Sequence, residues 1–113
     1  GTSAVSPRID ASLVVSYGLY GLKSLTLHGA SIVGSFEIFT SLLALQELDV
    51  GCTRVDCSRA LELVSSAPWA LQVKKLGLKE TNVQGDIVAL GKCTNLVTAN
   101  FYSCKNITGD IVA

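Results

Sequence analysis

Aliphatic residues return along this chain at one spacing. Leu22, Leu25 and Leu27 recur as Leu45, Leu48 and Val50, then as Val73, Leu76 and Leu78, then as Leu96, Ala99 and Phe101. Each triplet keeps two residues and then one between its apolar positions, and the starts at 22, 45, 73 and 96 lie 23, 28 and 23 residues apart. A strand alternates faces with a period of two, so the second and third apolar positions of each copy point inward while their neighbours point outward. The first apolar position falls on the bend leading into the strand. Five residues past the third comes another apolar residue, giving Ile32, Val55 and Val83, with Ile107 one step later in the last copy. Two further on stand Gly34, Cys57, Gly85 and Gly109. A glycine there permits a turn or close approach that a side chain would block.

The pattern extends in both directions. Ile9, Leu13, Val15, Leu19 and Leu22 match Ile32, Phe36, Ile38, Leu42 and Leu45 at a constant shift of 23. Residues 1–21 therefore read as a degraded earlier unit, its strand reduced to something like Thr2-Ser3-Ala4, and residues 22–113 carry the full copies. Asp86-Ile87-Val88-Ala89 recurs as Asp110-Ile111-Val112-Ala113, so the last copy reads as cut short and without a polar cap. No copy can bury its apolar face alone. Stacking them as parallel strands about 4.8 Å apart covers each set of rungs with the next.

One unit is five residues longer, and the surplus falls in the stretch Ser58–Trp69. Asp56 or Ser58 is a candidate N-cap, Ala60, Leu61 and Val64 fall at helical spacing, and Pro68 forces a stop, so a helix is predicted there. The shorter units, such as the stretch Ser35–Leu42, have room for a turn or two of tighter 3-10 helix. Trp69 reads as a plug in the core; exposed, it would serve as a contact anchor.

The stretch from Leu76 to Ile87, with its apolar-any-Gly-acidic-Ile ending Val83-Gln84-Gly85-Asp86-Ile87, resembles the short units of leucine-rich repeat proteins. Cys93, Leu96, Ala99, Phe101, Cys104 and Ile107-Thr108 are similar in order to the cysteine-containing subtype of that family. The asparagine usual at the ladder position is replaced by Ala30, Thr53, Thr81 and Cys104. The resemblance covers essentially the whole chain and implies an α/β leucine-rich-repeat solenoid: short parallel strands on a concave side, with turns, 3-10 segments and one helix on the convex side. Leu25, Leu27, Leu48, Val50, Leu76, Leu78, Ala99 and Phe101 are its expected core.

Composition narrows the function. Nine basic and nine acidic residues in 113 cancel, and Lys74-Lys75 is the only basic pair, so the clustered surplus a nucleic-acid binder needs is missing. A hydrophobic fraction of 49% against 16% charged demands a buried interior. No apolar run approaches the eighteen or so residues of a membrane span, and no transmembrane segment is expected. Without methionine and starting at Gly1, the chain reads as processed or trimmed at its N-terminus.

In the expected register the outward positions form rows: Ser24, Glu47, Lys75 and Thr98; Thr26, Asp49, Gly77 and Asn100; His28, Gly51, Lys79 and Tyr102. Opposite charges become cross-strand neighbours. These rows make either a solvated face with mutual charge pairing or a ligand surface, and His28, Glu47, Asp49, Lys75, Lys79, Asn100 and Tyr102 are the candidate protein-binding residues. His28 is the only histidine, has no cysteine at metal-ligand spacing, and sits near no nucleophile elbow or oxyanion motif. Neither metal, cofactor nor catalysis is expected.

Cys52, Cys57, Cys93 and Cys104 match no zinc or redox spacing, and Cys93 and Cys104 take inward positions as small hydrophobes. That favours a reducing intracellular or organellar compartment. A Cys52–Cys57 bridge and the glycosylation sequon Asn106-Ile107-Thr108 would instead suit a secreted protein. The family resemblance implies a non-catalytic protein-binding scaffold. The rivals are a structural subunit of a large organellar, photosynthetic or cytoskeletal assembly, whose bare ends neighbouring chains cover, and a fragment of an extracellular receptor. Partners are expected on the concave face or at the uncapped ends, with the chain part of a longer one or of a larger complex.

Overall fold

The computed structural model describes residues 9–10 and 21–109. The strand expected at Thr2-Ser3-Ala4, most of the degraded first unit and the closing tetrapeptide lie outside them. Among the described residues the architecture is mixed α/β, built from short strands, one short α-helix and two 3-10 segments. In chain order the strands are β1 (Ile9–Asp10), β2 (Ser24–Thr26), β3 (Ile32–Ser35), β4 (Glu47–Asp49), β5 (Arg54–Asp56), β6 (Lys75–Gly77), β7 (Gln84–Asp86), β8 (Thr98–Asn100) and β9 (Asn106–Thr108). The 3-10 segments span Phe36–Ser41 and Ile87–Lys92, and helix α1 spans Ala60–Ser66.

The apolar triplets build a four-stranded parallel sheet in the order β2-β4-β6-β8. Its register sets Leu25 opposite Leu48, Leu48 opposite Leu76 and Leu76 opposite Ala99. Hydrogen bonding runs past the strands into the turns: the Gly29 N–H donates to Gly51 O, Cys52 to Lys79 O and Glu80 to Tyr102 O, at 2.7–2.9 Å. Each turn needs a left-handed residue, so φ is positive at Gly29, Cys52, Glu80 and Ser103. Glycine fills only the first of these, and the other three tolerate a conformation L-residues disfavour by about 1–2 kcal/mol.

Threonine closes the turns where asparagine is usual in the family the sequence resembles. The hydroxyls of Thr53 and Thr81 donate to Val50 O and Leu78 O at 2.6 and 2.7 Å, and the Cys104 thiol donates to Leu78 O at 3.0 Å. A polar link between units therefore persists at Cys104, whose sulfur also lies 4.0 Å from the Thr81 hydroxyl, whereas Thr53 bonds within its own unit.

The outer strands form two separate parallel ladders, β1-β3-β5 and β7-β9. Ile9 pairs with Ile32, at the shift of 23 read from the sequence. Beyond that point the repeat reading needs correction. Gly34, not Ile32, lies opposite Val55, and Gly85, not Val83, lies opposite Ile107. What aligns these strands is the residue ending them: Ser35 accepts the Glu37 N–H, Asp56 the Ser58 N–H and Asp86 the Val88 N–H, each closing a turn two residues on. Gly34 and Gly85 precede two of these caps with φ of 126° and 118°, a region open to glycine. Cys57 is not their equivalent. It follows its cap and begins the longer segment.

Between β5 and β7 there is no backbone ladder, and one side chain spans the gap. The Asn82 carbonyl oxygen accepts the Cys57 N–H at 2.7 Å while its amide nitrogen donates to Asp56 Oδ1 at 3.0 Å. The longer segment forms α1, preceded by Arg59 without a side-chain cap rather than by the expected Asp56 or Ser58. The chain is already extended at Ala67, the residue before Pro68. Trp69 is fully buried, and its indole N–H donates to Phe39 O at 2.8 Å, tying the longer segment to the first 3-10 segment. There Phe36 and Phe39 meet edge to face with centroids 5.4 Å apart.

Burial peaks in the middle of the stack. Leu48, Val50, Leu76 and Leu78 are buried, each removal from water worth about 1.5–3 kcal/mol. Three other expected core residues, Leu25, Leu27 and Phe101, are half-buried, and Ala99 is exposed. Ala99 does occupy the inward register position. It lies on β8, at the end of the described sheet order, and its small side chain has a strand on one side only. Of the two cysteines expected inside, Cys93 is buried and Cys104 half-buried.

Candidate binding face

Parallel register determines what the open side of the four-stranded sheet displays. Ser24, Glu47, Lys75 and Thr98 form one row, and Thr26, Asp49, Gly77 and Asn100 the next. Beyond the strand ends follow His28, Gly51, Lys79 and Tyr102, held in line by the turn hydrogen bonds. A shallow depression of about 290 Å3 crosses all four strands, and Thr26, His28, Glu47, Asp49, Lys75, Gly77, Lys79, Thr98 and Asn100 line it. Six of the seven residues singled out from the sequence therefore meet at one place. Tyr102 stands at the edge, exposed, with the Lys79 ammonium 5.4 Å from its ring centroid in a cation–π contact.

Two glycines shape the floor. A Cβ on Gly77 would lie 2.6 Å from Asp49 Oδ1, and one on Gly51 would lie 3.0 Å from His28 Nδ1. Their bareness lets the Asp49 carboxylate lie down across the sheet, where Oδ1 accepts the Gly51 N–H at 2.9 Å and approaches His28 Nδ1 at 3.4 Å. Both side chains remain about two-fifths exposed, at 39% and 43%, so solvent screens the pair.

The expected charge pairing across β4 and β6 does not form. Glu47 and Lys75 are register partners, but among the described residues the ion pairs are His28 with Asp49 and Arg59 with Glu37 and Glu62. Glu47 instead accepts the Ser24 hydroxyl at 3.2 Å. Register brings two Cα atoms together; the rotamers of two long side chains decide whether their charges meet, and solvation competes with the pair.

Other features divide between packing and surface. Burial pushes the Cys57 thiol up to about 12 and holds Cys93 above its ordinary value, as befits thiols that pack rather than react. Cys52, half-exposed, donates to Glu80 Oε2 at 3.2 Å, which raises its pKa. The described cysteines are all free thiols. Among the described residues no three His, Cys, Asp or Glu side chains converge as a ligand set, and no helix is long and apolar enough to cross a membrane. A larger cleft lies between α1 and the second 3-10 segment, but Arg59 on its rim is already tied to Glu62 at 3.1 Å.

One residue the sequence reading passed over is Asn82. Its type is ordinary in a turn, and only its position across from the unpaired end of β5 makes it a clamp. Comparison with known proteins returns no matching family model, no matching curated protein and no matching solved structure.

Proposed function

We propose that this chain is a leucine-rich-repeat solenoid serving as a non-catalytic protein-binding scaffold, with the open sheet as its concave recognition face. The observation that carries this reading is the set of charged and polar side chains assembled in register across β2, β4, β6 and β8, with Glu47 and Lys75 left unpaired to each other. A face used only for solubility has no need of a glycine-floored depression beneath its charges. Recognition by exposed polar rows around an aromatic such as Tyr102 suits a protein partner.

A second reading, a structural subunit whose ends are covered by neighbouring chains, draws support from the half-buried Leu25, Leu27 and Phe101 and the exposed Ala99. Site-specific photocrosslinking separates the two in cells that make the protein. A benzophenone side chain replacing Asn100 or Lys79 should yield adducts under the scaffold reading. Adducts confined to Val97, at the edge of the last strand, would overturn it in favour of the subunit.

A further inference from the structure

The open sheet carries its charge in stripes. Strand β4 presents Glu47 and Asp49, its neighbour β6 presents Lys75 with Lys79 just beyond, and the flanking strands present the uncharged Ser24, Thr26, Thr98 and Asn100. An acidic stripe thus lies beside a basic one at the strand spacing of about 4.8 Å. These stripes do not neutralise each other through direct contacts. Glu47 takes a serine hydroxyl, Asp49 accepts the Gly51 N–H and approaches His28 while staying about two-fifths exposed, Lys79 stands over Tyr102, and Lys75 forms no ion pair among the described residues.

We propose that this face accepts an extended segment of a partner protein lying across the strands, with a basic side chain over Glu47 and Asp49 and an acidic one over Lys75 and Lys79. The inference rests on the scaffold reading and deepens it by giving the partner a charge order across the sheet. A purely acidic ligand drawn to the lysines would meet two carboxylates one strand away. A purely basic ligand would meet the lysines. Only a segment carrying both signs satisfies both stripes. In an extended chain, side chains two residues apart share a face and stand about 6.8 Å apart, which flexible Lys and Glu stems can bring to the stripe spacing.

The test is a titration of the isotopically labelled chain, followed by amide chemical shifts at low ionic strength. Three blocked octapeptides of serine differ at two positions spaced i and i+2: Lys and Glu, Lys and Lys, or Glu and Glu. The mixed peptide should bind at least about threefold more tightly than either other, moving amides of β4 and β6, and the preference should fade at high salt. Glu47→Gln and Lys75→Gln should each erase that preference while leaving the remaining spectrum, and so the fold, unchanged. Tightest binding by the Glu-Glu peptide would make the face a plain anion site and end the proposal, as would tightest binding by the Lys-Lys peptide. If no peptide moves β4 or β6 while photocrosslinks still fall on Asn100 or Lys79, the striped-partner inference fails and the scaffold reading stands. If those crosslinks fail too, both fall.

Discussion

The two sides of each unit are held together by different means. On the open side, four strands are joined by uninterrupted backbone hydrogen bonding that continues through the turns from Gly29 to Tyr102. On the outer side the ladder stops after β5 and resumes at β7, and a single asparagine bridges the break. Backbone hydrogen bonds ask nothing of residue identity, so the first side tolerates serine, glutamate, lysine or threonine at corresponding positions. The second has given up that generality to fit α1, and relies on particular side chains at Asp56, Asn82 and Trp69. A continuous sheet is therefore paired with an outer layer that specific residues must hold, and substitutions should fall unequally on the two.

The largest effect should come from Trp69→Ala, which empties the plug beneath the longer segment and removes the donor to Phe39 O. Chemical denaturation should show a loss of about 3–5 kcal/mol. A loss below about 1 kcal/mol would mean that the outer layer does not depend on this residue, and the contrast would collapse.

Next comes Asn82→Ala, which leaves the N–H of buried Cys57 without its acceptor and should cost about 1–2 kcal/mol at neutral pH. Its pH dependence has a definite sign. The Asn82 amide, followed by the Ser58 backbone and hydroxyl, holds the Asp56 carboxyl below its ordinary 3.8. A carboxyl lowered by folding lends stability above its unfolded value, and that stability is lost as the pH falls through the folded one. Wild type and variant should therefore draw closer in stability as the pH drops below about 4. A gap that stays constant from neutral pH to pH 3 would show that Asn82 acts on the Cys57 backbone alone.

Smallest is Ser103→Gly, in the turn after β8. Relief of the left-handed strain at φ of 62° is offset by glycine's greater freedom when unfolded. The net change should stay within about 0.5 kcal/mol either way. A thermal melt displaced by more than a few degrees would show that the open side, too, depends on particular side chains.

What the sequence discloses follows the same division. The register of the open sheet could be read from Leu25, Leu48, Leu76 and Ala99 because it repeats with the apolar triplet, and burial of the triplet enforces it. All seven candidate residues followed from that register, and six of them line the depression. The outer register could not be read the same way. Its spacing is 21 residues from Gly34 to Val55 and 22 from Gly85 to Ile107, and it is set by capping at Ser35, Asp56 and Asp86 rather than by apolar spacing. The pairing expected of Glu47 with Lys75 was also beyond reach, since side-chain torsions and the nearby Ser24 hydroxyl are not written in the repeat. Ala99 illustrates a third case: its register is legible, but its exposure depends on what lies beyond the last strand.

Trp69 is the only tryptophan in the chain, and its ring is shielded from solvent with its N–H bonded to a carbonyl. The molecule thus carries its own fluorophore in the layer that specific side chains hold together. Light emitted from that ring should shift to the red when the longer segment loosens, even while circular dichroism still records an intact sheet. The order in which the two signals change on heating would reveal which layer yields first.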